Sequence, residues 1–213
     1  MKQAVIFDLD GVLVDSFEVM RRAFTVAYAE VVGEGRAPFE EYNKHQGRYF
    51  PDIMRIMGLP LEMEEPFVRE SYRLAHEVPV FDGIPELLRS LREQGFVLAV
   101  ATGKAGRRAR SLLDQLGLLP FFDHVIGSDE VARAKPAPDI VLRALELLDV
   151  EPRSAMMIGD AVTDLASARG AGVGAVAAVW AGVDEAELVA AGPDAVLREP
   201  ADLLDLLALA PTA

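Results

Sequence analysis

Apolar residues in this chain come in short unbroken runs, each closing on a small or acidic residue. The runs are Ala4-Val5-Ile6-Phe7, Val97-Leu98-Ala99-Val100-Ala101, His124-Val125-Ile126, Ala155-Met156-Met157-Ile158 and Gly174-Ala175-Val176-Ala177-Ala178-Val179. Runs of this length without polar alternation predict strands buried on both faces. Between them the apolar spacing changes to three and four residues. Ile84, Leu87, Leu88 and Leu91 follow it, as do Ala109, Leu112, Leu113 and Leu116. So do Ile140, Ala144, Leu147 and Leu148, and then Leu165, Ala168 and Ala171. That spacing predicts helices with one buried stripe. Strand alternating with helix predicts an α/β chain, with a doubly wound, Rossmann-like parallel sheet.

The alternation lapses once. From about Asp15 to Asp82 no run predicts a buried strand, and the pattern reads as helices over 16–32, 38–46, 50–57 and 62–76. Gly33, Gly35, Gly47, Gly58 and Pro60 separate them. Most of the aromatic residues fall here: Phe17, Phe24, Tyr28, Phe39, Tyr42, Tyr49, Phe50, Phe67 and Tyr72. The expectation is an α/β core from 1–14 and 82–213 and an inserted helical cap subdomain over 15–81 with its own small core. An insertion directly after the first strand overlies the sheet edge where ligands bind, so it would also serve as a lid. The Ala/Leu-rich tail from Ala201 to Ala210 predicts a closing helix.

Composition narrows this picture. The 213 residues carry 21 Lys and Arg against 34 Asp and Glu, a net charge of −13. A surface of that sign repels phosphate backbones and anionic leaflets, so no nucleic acid and no membrane partner is expected. Taken alone, it argues against any anionic ligand. The absence of cysteine excludes disulfides, thiolate metal sites and thiol nucleophiles, and fits a reducing compartment. No apolar run approaches the ~18 residues of a membrane span. No charged-then-apolar leader precedes the first strand, so a cytoplasmic setting is expected, with a monomer or small homo-oligomer.

Four short motifs follow predicted strands. Asp8-Leu9-Asp10-Gly11 sends two carboxylates from one strand end, because residues two apart in extended chain point the same way. Such a pair suits a cation between the acids, with one carboxylate attacking and the other moving a proton. Thr102-Gly103-Lys104 offers a hydroxyl and backbone N–H groups to phosphate oxygens. Lys135-Pro136-Ala137-Pro138-Asp139 holds a lysine in an extended lead into a helix. Gly159-Asp160 and Asp164 place two carboxylates at a strand end and one helical turn further on, which suits a hard cation. Singly, each has an ordinary reading: a turn, a helix cap, a surface lysine, an acidic first turn matched to the helix dipole. All four at C-terminal strand ends point to one crevice.

Together these residues resemble the four-motif signature of the haloacid dehalogenase superfamily, and the resemblance runs the length of the chain. The helical insertion looks like the small cap of the branch that holds phosphoglycolate phosphatases and beta-phosphoglucomutases. The resemblance implies that Asp8 is the nucleophile and forms an aspartyl phosphate, and that Asp10 is the general acid and base. It implies that Thr102, Gly103 and Lys135 hold the phosphoryl group. Mg2+ would be bound by Asp8, the main-chain carbonyl of Asp10 and Asp160, with Asp164 orienting Lys135 or a metal-bound water. Dehalogenases and phosphonatases lack an acid at the position of Asp10. The implied activity is therefore hydrolysis of a small phosphomonoester, with a sugar phosphate mutase as the alternative. The segment from Phe39 to Met54 is similar to phosphatases associated with synthesis of 3-amino-5-hydroxybenzoic acid (AHBA), an antibiotic precursor, which would imply a phosphorylated sugar or aminosugar-related substrate.

For substrate choice the candidates are His45, Gly47 and Arg48. Gly47 breaks a predicted helix there, and Arg48 could grip an anionic group or a hydroxyl. Lys104 and Arg107 are rim candidates. Trp180 reads as packing.

Overall fold

In the computed structural model, which describes residues 2–209, the elements alternate as the pattern predicts. The first strand, β1, spans Ala4–Phe7. Four helices follow: α1 (Phe17–Val31), α2 (Phe39–Asn43), α3 (Phe50–Met57) and α4 (Glu64–Arg73). Then come α5 (Ile84–Glu93), β2 (Val97–Thr102), α6 (Gly106–Gln115), β3 (His124–Gly127) and α7 (Asp139–Leu148). The chain continues through β4 (Ala155–Gly159), α8 (Val162–Ala171), β5 (Gly174–Ala178), α9 (Glu185–Ala190), β6 (Ala195–Leu197) and α10 (Asp202–Leu209). Position 210 of the expected closing helix lies outside the described residues.

All six strands are parallel, in the order β3-β2-β1-β4-β5-β6. This is a doubly wound α/β sheet, with β1 and β4 flanking the point where the order reverses. The buried runs divide by parity. Val5 and Phe7 join one apolar layer with Leu87, Leu88 and Leu91 of α5, Leu113 of α6 and Leu203 of α10. Ala4 and Ile6 face the other, with Ile140 and Ala144 of α7 and Leu165 and Ala168 of α8. Successive side chains on a strand point to opposite faces, so only a run apolar at every position can serve both. No helix among the described residues is long and apolar enough to cross a membrane.

The insertion has a separate aromatic core of Phe24, Phe39, Tyr42, Phe50 and Phe67, joined by Met20 and Met54. The Phe50 and Phe67 rings stack at 4.2 Å, and Phe24 meets Tyr42 at 4.6 Å. Two antiparallel connectors join it to the sheet: Asp15 N–H donates to Pro79 O (3.0 Å) and Phe81 N–H to Leu13 O (3.1 Å).

Three details differ from the pattern reading. The helix expected over 38–46 stops at Asn43 and continues as a tighter spiral of i→i+3 bonds, His45 N–H to Tyr42 O (3.0 Å) and Arg48 N–H to His45 O (3.3 Å), up to Gly47 with φ +83°. The helix expected over 62–76 splits into single 3-10 turns around α4. Beyond Val179 the pattern showed neither α9 nor β6. Three residues between Asp194 and Arg198 are too short a run to read as a strand, and β6 is an edge that pairs only with β5.

Candidate active site

The site is built on three adjacent strand ends. β1 lies between β2 and β4, with Phe7 opposite Val100 and Ile158. Asp8 continues that ladder through its N–H to Ile158 O (2.9 Å), so its carboxylate emerges between the two neighbours. Lys135, from the segment leading into α7, donates to Asp8 Oδ1 (3.0 Å) and Asp164 Oδ1 (2.7 Å), and all three side chains are buried. Asp164, near the start of α8, also accepts from Ala161 N–H (3.1 Å), which fixes its rotamer. Asp160 stands in the turn after β4. One carboxylate oxygen each from Asp8, Asp160 and Asp164 lie within 4.8 Å of one another.

Two glycines make room for this. A Cβ on Gly11, where φ is +79°, would fall 1.9 Å from Asp160 Oδ2, and one on Gly159 would fall 2.2 Å from the Asp164 side chain. No residue with a side chain fits at either place.

Burial pushes the Asp8 carboxyl up to about 7, with Asp164 and Asp10 adding to the shift and Lys135 opposing it. Burial, then Asp8 and Asp164, push Asp160 well above the usual carboxylate range. For Lys135 burial works against the ammonium, but Asp164 and Asp8 outweigh it and hold the proton firmly. When all three carboxylates are ionised, the single ammonium of Lys135 leaves two negative charges uncompensated. An all-oxygen donor set with that deficit fits a hard divalent cation.

Asp10 points elsewhere. Its side chain is not part of the acidic trio: Oδ1 accepts from Ser16 Oγ (2.5 Å) and Oδ2 lies 3.1 Å from Lys104 Nζ. Burial works to raise its pKa, but Lys104 and the Ser16 hydrogen bond hold it below the ordinary value. Lys104 is itself buried, at 6% exposure, and burial lowers its pKa despite Asp10. A residue expected at the rim is thus an inner one. Thr102 ends β2, and its Oγ1 accepts from Lys104 N–H (3.1 Å). It does not cap the next helix, since Gly106 N–H at the start of α6 is taken by Asp129 Oδ1 (2.7 Å).

Asp8, Asp10, Thr102, Gly103 and Lys104 form the floor of a small cavity of about 30 Å³. Tyr42, Gln46, Gly47, Arg48, Phe50 and Ile53 of the insertion form its roof, and Met20 and Arg108 its sides. The roof is seated on the floor: a Cβ on Gly103 would lie 2.6 Å from Gly47 O and 2.7 Å from Arg48 O, and one on Gly47 would lie 2.7 Å from Thr163 Oγ1. Gly47 and Arg48 therefore meet the core motifs. His45 is not a wall of the cavity; its Nε2 faces Glu41 Oε1 at 3.5 Å. Arg107 is exposed, while its neighbour Arg108 is turned inward. The apolar spacing of α6 held that signal, because Arg108 stands four residues before Leu112 on the same stripe. Trp180 donates to Val12 O (3.1 Å) and packs on the sheet layer of α5 and α6.

Residues 2–172 match the model of the haloacid dehalogenase-like hydrolases. The chain is 35% identical over 210 residues to the probable phosphatase IndB of Dickeya dadantii strain 3937, spanning 92% of this chain and 90% of that protein. It is 31% identical over 213 residues to a phosphoglycolate phosphatase of Aquifex aeolicus strain VF5, spanning 96% of each. Among solved structures it is similar to CbbY from Rhodobacter sphaeroides in complex with phosphate, with a TM-score of 0.81, 28% identity, and 95% and 96% of the two chains covered.

Proposed function

This chain belongs to the haloacid dehalogenase-like hydrolases, and from that premise we propose that it hydrolyses a small phosphomonoester through a phosphate carried transiently on Asp8. One observation supports this most. The buried carboxylate of Asp8 ends the central strand, touches Lys135, and has Asp160 and Asp164 beside it within 4.8 Å.

In this reading Lys135, the Thr102 hydroxyl and the Gly103 N–H hold the phosphoryl oxygens of the bound ester. Asp8, Asp160 and the main-chain carbonyl of Asp10 would hold Mg2+, with Asp164 orienting Lys135, and the ion would supply the charge neutralisation that lets a carboxylate approach a phosphate dianion. An Asp8 oxygen forms a bond to phosphorus as the bond to the alcohol oxygen breaks, and Asp10 gives its proton to the departing alkoxide. A water then loses a proton to Asp10, its oxygen attacks phosphorus, and the bond to Asp8 breaks. Inorganic phosphate leaves and both carboxyl groups are restored. The contacts of Asp10 with Lys104 and Ser16 favour its ionised form in the resting site, so Asp10 takes up a proton when the ester binds, gives it to the leaving group, and is ionised again to take a proton from water. Acid–base help of this kind is worth roughly 10²–10⁴ in rate.

The names of the relatives support phosphate as the group removed. The likeness of segment 39–54 to AHBA-associated phosphatases favours a phosphorylated sugar or aminosugar-related substrate in antibiotic precursor synthesis, and a phosphoglycolate-like ester is the neighbouring choice. The test is hydrolysis of an aryl phosphate. It is expected to require Mg2+ and to fall by roughly 10⁴ or more in Asp8→Asn. Turnover in the presence of a chelator, or an active Asp8→Asn chain, refutes the mechanism. A hexose 1-phosphate supplied with a trace of its bisphosphate separates hydrolase from mutase: free phosphate marks the first, isomer without phosphate the second.

A further inference from the structure

Arg108 is a buried cation that the proposed hydrolysis does not use. It is 8% exposed and lies on the wall of the cavity beneath the insertion. Its Nε and Nη1 are buried without a hydrogen-bond partner, and it belongs to no ion pair among the described residues. Its one aromatic contact is the Phe67 ring, 5.1 Å from the guanidinium carbon. The N–H groups of a guanidinium project in its plane, and those of Nε and Nη1 carry no hydrogen bond. They are left to meet whatever enters the cavity.

The charges on this wall have the same sense. Asp10 is the carboxylate that acts most strongly on both Lys104 and Arg108, with Asp8 a lesser influence on Lys104 and Glu64 on Arg108, and Asp10 is already taken by Lys104 and Ser16. Arg48 lines the same cavity. Buried guanidinium donors without a partner favour an arriving acceptor, and the planar fork matches the two oxygens of a carboxylate or phosphate.

We propose that Arg108 is the specificity-determining residue of this site, and that the substrate carries a second anionic group, a carboxylate or a second phosphate, which Arg108 receives. This rests on the phosphatase reading for the position of the first phosphate. The second group sits at the side of the cavity where α6 and the aromatic core of the insertion meet, away from the acidic trio. A neutral monoester would fill the phosphate position and leave the guanidinium unpaired.

The experiment uses the full chain with excess Mg2+ and three phosphonates that differ at the far end. Propylphosphonate ends in a methyl group, 3-phosphonopropionate in a carboxylate, and propane-1,3-bisphosphonate in a second phosphonate. Affinities are measured by calorimetry. At least one anion-ended compound is expected to bind roughly ten- to hundredfold tighter than the methyl-ended one, and the stronger of the two identifies the group. Arg108→Gln is expected to remove the difference and Arg108→Lys to keep part of it, with melting curves reporting the fold of each variant. Equal affinities in the unaltered chain, or a folded Arg108→Gln that keeps the difference, overturn the proposal. If the Gln variant does not fold, the unaltered chain and Arg108→Lys decide it. Hydrolysis of the corresponding esters is read separately. An affinity difference without hydrolysis removes the phosphatase reading and leaves Arg108 in place, whereas hydrolysis without a difference does the reverse.

Discussion

Lys135 lies between two carboxylates that the chain brings from positions 8 and 164, and its ammonium is the only cation touching the acidic trio among the described residues. Removing it leaves acids with nothing to offset their repulsion. Breaking a buried pair in this way costs about 3–5 kcal/mol. In Lys135→Met, melting without divalent cation is therefore expected well below that of the unaltered chain. Millimolar Mg2+ is expected to raise it by more than it raises the unaltered chain, because the ion then meets three uncompensated carboxylates instead of two. Equal Mg2+ shifts in the two chains would contradict the charge count. At this scale the sequence was informative wherever chemistry follows a strand end: Asp8, Thr102, Lys135, Asp160 and Asp164 all meet at one sheet edge. It was least informative for Lys104 and Arg108. A cation in a polar stretch reads as exposed, and only the packing of the insertion over the loop after β2 and over α6 encloses these two.

The elements explain why the cavity is closed. The spiral after α2 ends at Gly47 and lies on the loop after β2, with no space for a side chain at Gly103. In Gly103→Ala the added methyl meets two backbone oxygens, Gly47 O at 2.6 Å and Arg48 O at 2.7 Å, which cannot yield as a flexible side chain would. The expected result is a fall of about tenfold to a hundredfold in kcat/KM, since displacements near 1 Å cost that much, with little change in melting temperature. Faster cleavage of segment 44–48 by a protease, at unchanged global stability, checks the cause. An unchanged kcat/KM would show that this contact does not position the roof. Helix spacing found α1 and α3 almost to the residue, because both carry a full apolar stripe. It overran α2, where a short helix tightens toward Gly47, and it missed β6, whose pairing with β5 depends on a neighbour distant in sequence.

For the whole molecule, the separation of cores sets the order of stability. The aromatic core of the insertion shares no residue with the two layers on the sheet, although Leu74, Ala75 and Val78 at its end pack with the sheet side. Units with separate cores open separately. Hydrogen exchange is expected to be slowest in β1, β2 and β4 and faster throughout α2 and α3, with a ligand in the cavity slowing the latter most. Uniform exchange across both would mean one cooperative unit. The net charge of −13 takes on a different meaning at this scale. Lys104, Arg108 and Lys135 are the buried cations among the described residues, and all three face the strand ends or the cavity above them. An anion there meets these groups while the acidic exterior faces water. By itself the sequence determined the parallel sheet, the helical insertion and the acids at the strand ends, because buried runs, helical spacing and motif position are local properties. Tertiary structure alone decided which cations turn inward, which carboxylate pairs with which lysine, and how the roof meets the floor. Those follow from packing between segments up to a hundred or more residues apart, and no local pattern records it.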